Sequence, residues 1–479
     1  MPTYPDIRLF INGDWRNADE TVPITNPSNG EQIGLLPVAS HADLDDALVA
    51  ATAGFEVWSR TSPVERSRII VKAAQLMRER QEEIAQSISI ELGKPIKQAR
   101  LEVIRGCEFF EWDAGEAQRL YGRVIPSAPG VRYTVVRQPI GVVAAFSPWN
   151  FPVSQPARKV AGALASGCSI ILKPAEETPA GAIHIARAFQ DAGLPDGVLN
   201  VVFGRPAEIS DYLIRKDEIR LVAFTGSTNV GRHLTKLAAE YMTPVLMELG
   251  GHAPVIVCDD VDPKETAISS AIRKYRNAGQ VCTSPTRFFI HEKLYETFAT
   301  EFVNQVKTIN VGDPLSDDTE MGPVVHAGRI AALQEMVNDA VNRGANLLIG
   351  GGQMDQPGHY FQPTVLTNVP DDALILREEP FGPIAVLNSI ATLEEGIEKA
   401  NSVPYGLAAY GFTHSAANAD KMIDGIETGN LSINTLEASL PETPFGGVKS
   451  SGYGREGGEE GLHHYTIVKN ISHSMEIVK

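Results

Sequence analysis

Along the first hundred residues apolar side chains recur at helical spacing. Leu44, Ala47, Leu48, Ala51 and Phe55 share one face, and the period returns from Ile69 to Ile88 with Ile70, Ala73, Met77 and Ile84. That region reads as helical after a short strand-like start. Between Gly141 and Val257 the pattern shortens into apolar runs: Val142–Phe146, Ile170–Leu172, Val198–Val202, Leu221–Phe224, Val245–Met247 and Val255–Val257. Helical periods such as Ala180–Ala192 and Gly231–Tyr241 separate most of them. Runs with so little alternation suit strands covered by helices on both faces, the signature of a parallel sheet.

A second series follows. Strands are expected near Arg287–Ile290, Asn346–Ile349, Ile384–Leu387 and Ala408–Phe412, and helices at Lys293–Gln305, Ala327–Asn342 and Thr392–Ala400. Two α/β domains account for this, with a boundary near Glu248 to His252. The glycine-rich Gly350–Gly358 stretch reads as an exposed loop. Tyr133–Arg137 and Tyr465–Lys469 are β-prone and lie outside both series, so they suit an arm whose strands need partners, which makes oligomerisation plausible.

The chain has 479 residues, too many for one ordinary core, and its composition, 43% hydrophobic and 21% charged, is that of an average soluble protein. A net charge of −17 with no compensating basic tract argues against nucleic acid or an anionic membrane as the main partner. Met1–Arg8 lacks the pattern of a signal peptide and no apolar stretch reaches membrane-spanning length, so a cytoplasmic location is the default expectation. Four cysteines, none in a C-x-x-C pair or grouped with histidines, make a disulfide scaffold or a metal site unexpected.

Gly452–Gly457 matches G-x-G-x-x-G formally, but no strand precedes it, and it reads as a flexible glycine-rich loop. A better phosphate site is Phe224–Arg232, where a buried strand ends at Gly226 and Ser227 opens a helix whose amides would favour a pyrophosphate. An ordinary turn capped by Ser227 or Thr228 fits the same residues. Lys173 and Glu176 follow another strand's carboxyl end. Lys173 suits ribose hydroxyls, and Glu176 would accept from a 2′-hydroxyl while repelling a 2′-phosphate, which points to NAD over NADP. Cys107, Cys168 and Cys258 sit in apolar or strand-edge contexts and read as small buried hydrophobes. Cys282 differs, because its small-residue surroundings suit a helix start that would lower a thiol's pKa.

Four motifs occur in order: Phe146-Ser147-Pro148-Trp149-Asn150-Phe151-Pro152, Glu248-Leu249-Gly250-Gly251, Gly279-Gln280-Val281-Cys282 and Glu379-Pro380-Phe381-Gly382-Pro383. Together they resemble the aldehyde dehydrogenase superfamily, over a span from about Ile11 to Lys469. The resemblance implies two Rossmann-like open-sheet domains, one binding NAD (1–120 and 142–249) and one catalytic (250–450), with a small β oligomerisation arm (121–141 and 460–479). It implies a homodimer or homotetramer. It gives Cys282 the role of nucleophile towards an aldehyde, Asn150 and the Cys282 amide that of oxyanion donors, and Glu248 that of general base for thioester hydrolysis. Ser147, Pro148, Trp149, Leu249, Glu379 and Phe381 become cofactor contacts beside Lys173, Glu176, Gly226 and Ser227. Glu456 matches a proton-relay residue, or is a solvated charge.

Within the superfamily the chain is most similar to the succinate semialdehyde dehydrogenases, through Ala117–Gly122, Pro156–Val160 and Lys274–Asn277. There Arg158 and Arg276 would grip the substrate carboxylate, as planar guanidinium groups can. Ser439 is displaced from the family's serine position before Pro-Phe-Gly-Gly, and whether it reaches the pocket stays open. Succinate semialdehyde is the expected substrate. A 2-oxoglutarate semialdehyde, other aliphatic or aromatic aldehydes, and a nucleotide-independent thiol esterase activity are the alternatives.

Overall fold

The computed structural model describes residues 4–475; the first three residues of the expected NAD-binding span and the last four of the expected arm, 476–479, lie outside the described residues. The apolar runs between Val142 and Glu248 become five parallel strands at the centre of an eight-stranded sheet. From Val142–Phe146 the chain steps outward to Ser169–Lys173 and Leu199–Val201, then returns to the other side for Ile219–Thr225 and Val245–Glu248. The strand order therefore reverses between Val142–Phe146 and Ile219–Thr225, and a crevice opens at their carboxyl ends, where open sheets of this kind bind ligands. Every residue of Val142–Phe146 and Ser169–Lys173 is buried, which explains why the runs show no alternation.

The second sheet has seven strands, in the order Asn346–Ile349, Thr364–Thr367, Ile384–Ile390, Arg287–His291, Pro254–Val257, Ala408–Phe412 and Asn430–Ile433. All neighbours are parallel except the first pair. Each sheet carries its own large apolar core. Among the described residues no helix is long and apolar enough to cross a membrane.

Some elements differ from the sequence reading. The period from Ile69 to Ile88 is two helices, Pro63–Glu79 and Gln81–Leu92, divided at Arg80 (φ −98°, ψ 13°). The apolar stripe survives the bend because Met77 before it and Ile84 after it are both fully buried. Gly452–Tyr453, read as flexible loop, is an edge strand antiparallel to Val245–Glu248. Gly452 takes φ +114°, and a Cβ there would stand 1.9 Å from the Met247 carbonyl oxygen, so only glycine permits the pairing. Thr364–Thr367 and Asn430–Ile433 went unread, being four-residue strands with two polar positions each.

Val131–Pro139 and Thr466–Ser474 pair antiparallel along nine residues, and Arg123–Ile125 adds a third strand. The two β-prone segments thus partner each other. Ile467, Val468 and Ile471 stay exposed along the outer strand.

Candidate active site

The crevice residues come first. Ser227 caps the helix Thr228–Glu240, its hydroxyl accepting from the Val230 amide at 3.4 Å, and Ser227, Asn229 and Val230 are exposed, so this first turn is open to an anion. The Gly226 amide donates to the Glu248 carbonyl at 3.0 Å and ties two strand ends together. Lys173, at the end of its strand, pairs with Glu176 at 2.7 Å. The Ser147 amide donates to the Lys173 carbonyl at 3.2 Å, and Pro148 and Trp149 follow, partly exposed. The Trp149 ring meets Phe381 edge-on, with centroids 5.4 Å apart. Phe381 itself takes φ +43°, an uncommon conformation for a bulky residue. Leu249 packs on Gly231, where a Cβ would stand 2.3 Å from the leucine side chain. The Glu379 carboxylate lies over Gly250, 2.8 Å from where a Cβ would be. Burial pushes the Glu379 carboxyl up to about 8, with the Gly251 amide, Arg329 and Lys274 pulling the other way. An open helix start, a glycine cradle and two carboxylates on one crevice fit a dinucleotide.

No helix begins at Cys282. Asn277, Ala278 and Gly279 take left-handed φ values of 50°, 53° and 69°, which reverse the chain, and Cys282 lies in the turn leading to the strand Arg287–His291. The expected depression of the thiol pKa is overturned as well. Burial, then the charges of Glu379 and Glu248, push the thiol up to about 12 against the pull of Arg158. Asn150 faces the same loop, its side-chain amide donating to the Gln280 carbonyl at 3.0 Å. One of the two amide protons is thus used and one is free. The Asn150 backbone carbonyl is held by the Lys94 ammonium at 2.9 Å and the Asn277 side-chain amide at 3.1 Å.

Glu248 ends its strand at 2% exposure, with neither carboxylate oxygen meeting a hydrogen-bond partner among the described residues. Burial, and then the charge of Glu456, hold this carboxyl well above the usual range. Glu456 is also 2% exposed, which overturns its reading as a solvated charge, and it accepts from the Lys159 ammonium at 2.8 Å. Lys159 donates at 2.7 Å to the Thr225 hydroxyl.

A cavity of ≈ 820 Å³ opens on Cys282 and is lined by Arg158, Arg276, Ser439, Phe109, Phe151 and Phe445 among others. Arg158 is buried, donates to the Ser439 hydroxyl at 2.6 Å and lies 3.9 Å from the Phe109 ring centre; its Nη1 has no hydrogen-bond partner among the described residues. Ser439 therefore does reach the pocket. Arg276 lies 5.7 Å from the Phe151 ring centre and makes no hydrogen bond or ion pair with any described residue. Burial, then Arg273, pull its guanidinium down to about 10. Nearby acids are engaged elsewhere, Glu102 by Lys94 and Glu437 by Arg273 at 3.4 Å.

The sequence reading left three lysines without a role. Besides Lys159, Lys94 anchors the Asn150 carbonyl and pairs with Glu102, which also accepts from the Val153 amide at 2.9 Å. Lys274 is fully buried, its ammonium donating to the hydroxyls of Ser284 and Thr286 at 3.1 and 3.0 Å, and among the described residues it has no ion-pair partner. A lysine inside an otherwise buried helical stretch, as in Pro156–Ala161, was the available signal.

Comparison with known proteins adds the following. The profile described as "Aldehyde dehydrogenase family" matches residues 15–471. A putative 4-(hydroxymethyl)benzenesulfonate dehydrogenase of Comamonas testosteroni is 42% identical over 96% of this chain and 97% of its own. A mitochondrial succinate-semialdehyde dehydrogenase of Oryza sativa subsp. japonica is 39% identical over 96% and 88%. The crystal structure of a succinate-semialdehyde dehydrogenase from Burkholderia pseudomallei superposes with a TM-score of 0.96 at 37% identity, covering 98% of both chains.

Proposed function

The chain belongs to the aldehyde dehydrogenase family, and on that premise we propose that it oxidises, with NAD, an aldehyde carrying an anionic group at its far end, succinate semialdehyde being the reference case. The observation that carries this is the pair of guanidinium groups, Arg158 and Arg276, that line the Cys282 cavity without a carboxylate partner. Guanidinium groups held out of water are costly without a hydrogen-bonded counter-charge, and a carboxylate can take both the free Nη1 of Arg158 and Arg276.

The chemistry of the chain's own residues follows. Cys282 gives up its proton to solvent in the cavity and, as the thiolate, attacks the aldehyde carbon, forming a thiohemiacetal whose oxyanion takes hydrogen bonds from the free Asn150 amide proton and the Cys282 backbone amide. Bound NAD would be held by Ser147, Trp149, Lys173, Glu176, Gly226, Ser227, Leu249, Glu379 and Phe381, and supplies the hydride acceptor. Glu248 takes a proton from water, whose oxygen attacks the remaining thioester; the carboxylic acid leaves, and Glu248 returns its proton to the departing thiolate, restoring the thiol. Burial and the charge of Glu456 raise the Glu248 carboxyl while Lys159 lowers it, so Glu456 and Lys159 matter to its readiness as a base. Family members use NAD or NADP. Glu176, beside Lys173, supports NAD here, since a 2′-phosphate would meet its charge.

A second reading is favoured by the cavity itself. Its ≈ 820 Å³ and four phenylalanine rings suit an aromatic aldehyde bearing a sulfonate or carboxylate, in keeping with the benzenesulfonate named for one relative. The arm, with its exposed apolar outer strand, supports a homodimer or homotetramer.

The test is kcat/KM with NAD for succinate semialdehyde beside butanal, which has the same carbon count and no carboxylate. A preference beyond about tenfold, near 1.4 kcal/mol, supports the anion anchor. Equal values discard the anchor while keeping the dehydrogenase. A 4-formylbenzenesulfonate outrunning both favours the aromatic reading.

A further inference from the structure

Five residues, Leu249–Ala253, carry the chain from the strand of the first sheet that ends at Glu248 to the strand of the second sheet that begins at Pro254. This crossing passes through the crevice. Gly250 has Glu379 on one side and the first turn of the helix Thr228–Glu240 on the other: a Cβ there would stand 2.8 Å from the Glu379 carboxylate and 3.3 Å from the Thr228 hydroxyl. Glu379 itself lies on no regular element. It follows the short helix Leu374–Arg377, and its place over Gly250 depends on what holds that stretch at either end. At the far end the Arg329 guanidinium, from the helix Ala327–Asn342, donates to the Pro380 carbonyl. At the near end the Ile375 carbonyl meets His252 Nε2 at 2.9 Å.

His252 is 3% exposed, and because a carbonyl can only accept, Nε2 carries the imidazole proton. Burial, then the charge of Arg287, hold the imidazole well below its usual range, so it stays neutral and keeps that one donor. Its Nδ1 has no hydrogen-bond partner among the described residues. A ring buried with one nitrogen unsatisfied is a poor choice for packing alone; what it supplies is the bond to Ile375. Its backbone is fixed independently. The Arg287 guanidinium donates to the His252 carbonyl at 2.9 Å and to the Lys399 and Ala400 carbonyls at 3.0 Å each. The imidazole is thus a strut of fixed origin whose single bond goes to the segment carrying Glu379.

We propose that His252 is a positioning residue for the cofactor: through the Ile375 carbonyl it holds the segment from Leu374 to Pro380 so that the Glu379 carboxylate stays over Gly250, where bound NAD would meet it. This rests on the reading of Glu379 as a contact of bound NAD.

The experiment measures NAD affinity directly, by the quenching of tryptophan fluorescence on titration with NAD, beside kcat and KM. His252→Asn ends one bond short of the Ile375 carbonyl; it should weaken NAD binding by about tenfold while KM for the aldehyde changes by less than about twofold. His252→Gln puts an amide N–H where Nε2 stood and should bring affinity back to within about twofold of normal. His252→Met, which fills the space without a donor, takes the place of the Asn variant should that one fail to fold. A cycle with Glu379→Ala separates aiming from general support: once the carboxylate is gone, His252→Asn should weaken binding by less than about twofold further. Losses that add in full overturn the proposal, as do unchanged affinity in His252→Asn and a His252→Gln variant as weak as His252→Asn. NAD binding undiminished by Glu379→Ala removes Glu379 as the contact and the proposal with it. Absence of NAD binding by the unaltered protein would instead sink the cofactor reading.

Discussion

The Arg158 guanidinium donates to the Ser439 hydroxyl at 2.6 Å while its Nη1, buried in the same cavity, has no hydrogen-bond partner among the described residues. Ser439 thus fixes the orientation of the group and leaves one nitrogen for a ligand. Arg158→Ala is expected to lower kcat/KM for succinate semialdehyde by about ten- to a hundredfold, the worth of about 1.5–3 kcal/mol for a charge-assisted hydrogen bond. Butanal oxidation should change far less. An equal loss for both aldehydes would show that Arg158 supports the pocket and not the anion.

Cys282→Ala should abolish oxidation, by about 10³-fold or more, with NAD affinity nearly unchanged by fluorescence titration. Because the resting thiol is raised to about 12, alkylation of Cys282 in the free enzyme should accelerate with each pH unit from 7 to 10. A rate that levels off near neutrality would mean that the thiolate is already formed.

For Glu248→Gln the thioester has no base to activate water. One equivalent of NADH should form in a burst, followed by a steady state slower by about 10²–10⁴-fold, with the acyl group detectable on the protein by mass spectrometry. An undiminished steady state removes Glu248 as base.

Glu176→Gln takes away the charge that would meet a 2′-phosphate. The ratio of kcat/KM for NADP to that for NAD should rise by about tenfold, roughly the 1.4 kcal/mol of one such repulsion. An unchanged ratio would place the discrimination elsewhere.

Lys274 offers a stability test. Burial pulls its ammonium down to about 7 from an unfolded value near 10.5, so above pH 7 the unfolded chain binds more protons there than the folded one. Its contribution therefore becomes more favourable as pH rises from about 7 towards 10.5. In Lys274→Met that component vanishes, and the difference in Tm between the two proteins should drift in favour of the lysine form from pH 7 to 9. A constant difference would mean that Lys274 stays charged when folded.

The order of motifs and the buried apolar runs were enough to place two parallel sheets and to nominate Cys282, Glu248 and Asn150. Buried strands and phosphate turns are local events, written in consecutive residues. The pairing of Arg158 with Ser439, or of Lys159 with Glu456, joins positions far apart in the chain, and no local pattern encodes their meeting. The same holds for the electrostatics. The environment expected to lower the Cys282 pKa was a helix start; what surrounds the thiol is a left-handed reversal, low exposure and two carboxylates brought in from other strands and loops. Sequence determined which chemical groups this protein owns and the scaffold that carries them. Tertiary structure alone decided which of those groups face each other out of water, because burial and charge proximity are properties of the packed whole.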